Sequence, residues 1–165
     1  MKKTVLILSV IIMILCINKP TTIPKDSIRF RVIANSNNIN DQLLKKEIVN
    51  NLSKELIKTN NLNTIEDTRN YLNNNIPLFT NIVDKTLKDN NSNEVFHINY
   101  GKNYFPEKTY DNVVYKEGEY ESLVITIGEG IGDNFWCVLF PPLCFEDNDK
   151  QEYKSFFKEV IDKYF

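Results

Sequence analysis

One histidine, five glycines, three cysteines and no excess of positive charge leave little room for several familiar chemistries. A formal charge of −2 and a pI near 5.5 exclude the basic face that displaces phosphate counterions, so nucleic acid is no partner. The same balance excludes a polybasic membrane-surface binder. With His97 as the single histidine and no Gly-x-Ser-x-Gly elbow, a histidine-based triad has nothing to rest on. Zinc wants four ligands, and Cys137, Cys144 and the distant Cys16 do not supply them. No catalytic site, metal site or cofactor is implied.

What is present begins at the N-terminus. Lys2 and Lys3 precede an apolar run from Val5 to Ile17 broken only by Ser9. Positive charge followed by such a run has the form of an export signal, and the run is short for a comfortable bilayer span. Residues 1–19 are therefore expected to be a signal peptide or an uncleaved membrane anchor. Cys16 follows Leu15, which is bulkier than a lipobox residue, so lipidation is not expected. Pro20 to Pro24 stiffen a linker over residues 20–26. One domain fills 27–165.

Within that domain Ile28 to Ala34 reads as a strand alternating apolar and basic residues. Leu44, Ile48, Leu52 and Leu56 recur at helical spacing over 40–58. Thr64 to Asp67 resembles a capping box with Asp in place of Glu, opening a short helix to Asn74. Pro77 restarts the pattern, and Phe79, Ile82, Val83 and Leu87 line a helix ending near Asn90. From Glu94 the period becomes two: Phe96, Ile98 and Tyr100 alternate with Val95, His97 and Asn99. Tyr110 to Tyr115 and Leu123 to Ile127 read as further strands around a turn at Glu117-Gly118-Glu119. Phe135 to Phe140, apolar on both faces, is expected to be a central strand. Tyr153 to Tyr164 is a periodic helix. Helices early and strands late give an α+β domain, with a mostly antiparallel sheet of four to five strands and a C-terminal helix.

The stretch Gly128 to Asp133 lacks the lysine and following helix of a phosphate loop, so a hairpin turn is the reading. Glu129 and Asp133 offer too few oxygens for calcium and read as solvated turn residues. Cys137 and Cys144 can close a small loop through a disulfide, or stand as two reduced, buried thiols. Trp136, Phe140, Pro141, Pro142, Leu143 and Phe145 form the last candidate. Two prolines cannot continue a ladder, so the apolar residues after them leave the sheet. They are covered either by the C-terminal helix or by a docking partner.

Several of these segments carry a family resemblance: Ile28 to Ser36, Asp41-Gln42, Phe105 to Tyr110, Gly118 to Glu121, Gly128 to Gly130 and Asp133 to Phe145. In order and spacing they resemble the stage II sporulation protein R family, with Asn37 standing where an acidic residue is expected. The resemblance implies a protein exported from the forespore into the space between the forespore and mother-cell membranes. Its implied partner is a membrane-embedded aspartic protease of the mother cell, which cleaves the precursor of the early mother-cell sigma factor. No catalytic residues come with the resemblance. The rival expectations are an exported hydrolase acting on cell wall or septal peptide, with Glu107 and Glu129 as its acid–base pair, and a structural septal protein.

Overall fold

The first strand is set by its own alternation. In β1 (Ile28–Ile33) the side chains of Ile28, Phe30 and Val32 are fully buried, while Arg29 and Arg31 point to the other side of the sheet. The computed structural model describes residues 26–58, 63–110 and 113–141. The expected export segment, most of the linker and the C-terminal helix lie outside the described residues.

Three helices follow β1. In α1 (Ile39–Lys58) Leu44, Ile48, Val49, Leu52 and Leu56 form the buried stripe that the spacing predicts. Helix α2 (Ile65–Asn74) starts on Thr64, whose Oγ1 accepts from the Asp67 backbone N–H at 3.1 Å. Its hydroxyl in turn donates to Asp67 Oδ2 at 2.7 Å, so the shorter carboxylate takes the cap hydroxyl where the longer Glu of a capping box takes the cap backbone N–H. In α3 (Ile76–Asp89) Pro77 sits in the first turn, and Phe79, Val83 and Leu87 are buried. Asn91 then takes a left-handed conformation (φ 53°), and the Ser92 N–H caps the Leu87 carbonyl at 2.9 Å.

The second half supplies β2 (Phe96–Phe105), β3 (Lys108–Tyr110), β4 (Val113–Tyr115), β5 (Gly118–Ile127) and β6 (Asn134–Phe140). The main sheet has the order β2-β5-β1-β6, and β3 pairs with β4 apart from it. Leu123, Ile125 and Ile127 of β5 and Cys137 and Leu139 of β6 join the β1 side chains and the helical stripes in one core. The helices therefore cover one face of the sheet. Each fully buried aliphatic or aromatic side chain there stabilises by roughly 1.5–3 kcal/mol.

The α+β class and the mostly antiparallel sheet stand: β1 with β6 and β2 with β5 pair antiparallel, and only β1 with β5 pairs parallel among these four strands. Three details are corrected. The expected strand from Tyr110 to Tyr115 is two short strands, β3 and β4. Glu117-Gly118-Glu119 is no turn, because β5 begins at Gly118 and pairs with Phe105. Finally, β6 is not central; among the described residues it is an edge strand. It is apolar on both faces because both are covered, with Cys137 and Leu139 buried on one and Val138 buried on the other.

Candidate functional site

At the C-terminal end of β1 the chain makes a knot of polar side chains. Asn35 lies at its centre. Its amide nitrogen donates to Glu94 Oε1 at 2.9 Å and to Asp41 Oδ2 at 3.3 Å, and its oxygen accepts the Glu129 backbone N–H at 2.9 Å. Ser36 Oγ donates to Asp41 Oδ2 at 2.6 Å. Gln42 Nε2 reaches the Ser36 carbonyl at 2.8 Å, and Lys45 Nζ bridges Gln42 Oε1 (2.5 Å) to the Asp133 carbonyl (2.8 Å). Burial lowers the pKa of Lys45, and neighbouring Asp133 partly offsets that.

The glycine stretch is what this knot holds. Gly132 and Ile131 donate their backbone N–H groups to the carbonyls of Ala34 and Asn35, and Asp133 donates its own to Asn37 Oδ1. A side chain at Gly128 (φ +55°) would collide with the Asn35 amide, and one at Gly132 with the Ser36 carbonyl. The stretch is not a hairpin turn, since β1 lies between the two strands it joins. It crosses over the end of β1, and the asparagines replace the hydrogen bonds a hairpin would have made internally.

On the face away from the helices, arginine meets aromatics. Arg29 is 1% exposed, with Cζ 3.3 Å from the Tyr120 ring centroid, 5.1 Å from Phe105 and 5.8 Å from Trp136. Arg31 stands opposite Trp136 in the ladder, and its guanidinium donates to the Asn134 amide oxygen at 2.8 and 2.9 Å. Trp136 is thus half-buried in the sheet's own packing. Phe140 is half-buried against the core, and Pro141 leaves the strand as expected, through a cis peptide. Pro142, Leu143, Cys144 and Phe145 lie outside the described residues. Cys137 is disulfide-bonded, and both other cysteines, Cys16 and Cys144, lie outside the described residues.

A third cluster ties α2 to the sheet. Arg69 Nε and Nη2 donate to the Glu121 carboxylate at 2.9–3.1 Å, and the Tyr100 hydroxyl donates to Glu121 Oε1 at 2.6 Å. Burial, then the bonded carboxylate, pushes the Tyr100 pKa upward.

The carboxylates proposed as an acid–base pair are far apart. Glu107 follows Phe105, which pairs with Gly118 at one end of β5, whereas Glu129 follows the other end at Ile127. The ten residues of β5 take nine steps between those ends and span about 30 Å, against the ~5–9.5 Å of catalytic carboxylate pairs. Glu129 and Asp133 are exposed turn residues, His97 is exposed on β2, and no trio of metal-ligating side chains gathers among the described residues.

Residues 24–150 match the family model of stage II sporulation protein R. The chain belongs to the stage II sporulation protein R family. It is 40% identical over 131 residues to the stage II sporulation protein R of Bacillus subtilis (strain 168), a match covering 79% of this chain and 58% of the relative. The chain thus spans less than two thirds of the relative's length. No solved structure matches.

The family resemblance now has a structural explanation. Asn35, Ser36, Asp41, Gln42 and Gly128, which carried it, meet in the polar knot, and Arg29, Phe105, Tyr120 and Trp136 meet in the arginine–aromatic cluster. Asn37, where an acidic residue was expected, uses its side-chain oxygen as an acceptor for the Asp133 N–H (2.6 Å), a task aspartate would perform equally. The sequence reading missed both clusters; the available signal was two arginines inside an otherwise apolar strand.

Proposed function

We propose that this sporulation protein is a non-enzymatic signal. It is exported from the forespore to the intermembrane space, where it activates the membrane-embedded aspartic protease of the mother cell. The N-terminal segment directs export and either is removed or stays as an anchor. Membership of a stage II sporulation family carries the reading. The disulfide at Cys137 supports its exported half, because such bonds persist chiefly in oxidising compartments. Activation works by differential binding: the signal shifts the protease toward its active state by binding that state more tightly. Trp136, Phe140 and the segment Pro141 to Phe145 form the proposed contact.

The test is made in an endospore former lacking its own family member. Producing this chain in the forespore restores cleavage of the sigma-factor precursor. Trp136→Ala with Leu143→Ala abolishes cleavage while the exported protein stays folded and abundant. Normal cleavage in the double variant removes that surface, and no cleavage with the unaltered chain removes the function.

A further inference from the structure

Of the six exposed large hydrophobic side chains among the described residues, Tyr104 and Leu78 lie elsewhere, but Ile131 (72% exposed), Ile39 (69%), Val95 (67%) and Leu43 (54%) lie on the segments that form the polar knot. Ile39 and Leu43 lie one turn apart on α1, whose Gln42 bonds the Ser36 carbonyl. Ile131 hangs from the Asn35 carbonyl, and the Val95 carbonyl accepts the Gly128 N–H at 2.7 Å. Three segments are thus laced to one point, and each holds its apolar side chain out into solvent. Single exposed aliphatics need no explanation, but four on one rigid end do.

Two further features say what would cover them. The carboxylates of Asp41, Glu94, Glu129 and Asp133 outnumber the cations here, which are Lys46, the buried Lys45, and Lys88 beside Glu94 and Val95, itself paired with Asp84 at 2.6 Å. The layout adds direction. Ile28 and Phe140, the first residue of β1 and the last of β6, pair at one end of the sheet. The six residues of β1 separate that end from the knot by about 20 Å.

From this we infer that the knot end is a docking surface for a protein presenting lysine or arginine among apolar residues. Opposite charge steers and registers the encounter, and the aliphatic tips supply the desolvated contact. Because hydrogen bonds already fix the surface, little ordering entropy is lost on binding. The inference rests on the signalling role proposed above, and it places a contact at the opposite end of the sheet from Pro141.

The test places a photo-crosslinking amino acid at Ile131, and separately at Leu43, in the full chain made in a sporulating host. Both positions give an adduct to the same protein, through a peptide carrying Lys or Arg among apolar residues. Ile39→Ser with Glu129→Lys lowers adduct yield by about tenfold or more, with an unfolding midpoint within about 2 °C of the parent. Should that pair fail to fold, Leu43→Ser with the probe at Ile131 gives the same reading. No adduct, an adduct only to a second copy of this chain, or an undiminished yield overturns the inference. An adduct only to a protein other than the membrane protease also overturns it, and leaves the contact at Trp136 to Phe145 to its own cleavage test.

Discussion

Asn35 shows how much one side chain can hold. Its amide donates to two carboxylates while its oxygen takes a backbone N–H from the turn, so three chain segments converge on it. Asn35→Ala leaves those groups short of partners and lowers stability by about 2–4 kcal/mol, measured by denaturant unfolding. Asn35→Asp tests the electrostatics at the same place. It sets a third carboxylate against Asp41 and Glu94, which raises the new group's folded pKa above its unfolded value. The repulsion is therefore full at neutral pH and is relieved as pH falls through that raised value. Unfolding curves at several pH values check it: Asn35→Asp is less stable than Asn35→Ala at pH 7, and the gap closes in acid.

Among the elements, α2 is short, ten residues, and depends on its ends and on one carboxylate of the sheet. Burial works against ionising Glu121, yet hydrogen bonds from Arg69 and Tyr100 and the Arg69 charge together pull its pKa below the usual 4.5. A depressed folded pKa contributes stability present above about pH 4.5 and lost as pH falls through the folded value. Glu121→Gln accordingly costs stability at pH 7, and the difference from the parent shrinks below pH 4.5; acid titration of the unfolding midpoint checks both. The elements themselves were readable. Leu44-Ile48-Leu52-Leu56 announces α1, Thr64 announces the start of α2, and the alternation from Phe96 announces β2. Pairing was not readable, because alternation specifies which face is buried and carries no partner. Hence the both-sided apolar run of β6 suggested a central strand, and the glycines after Ile127 suggested a hairpin.

For the molecule as a whole, the cysteines connect fold and compartment. Cys137 is disulfide-bonded; peptide mapping of the unreduced exported protein is expected to recover it joined to Cys144. Cys144→Ser then lowers stability by about 2–2.5 kcal/mol, the chain-entropy value for so short a loop. Recovery of Cys137 joined to Cys16, or as a free thiol, refutes that pairing. The sheet also gives the molecule two ends: Ile28 and Phe140 at one, the polar knot with its exposed aliphatics at the other.

The sequence by itself determined the α+β class, the three helices between Ile39 and Asp89 and the family, because periodicity, caps and short motifs are local and survive without a fold. Only the tertiary structure decided that β1 and β5 run parallel, that Glu107 and Glu129 stand at opposite ends, and that the family's polar residues meet around Asn35. Those facts depend on which distant segments become neighbours, a choice made by burying one common core.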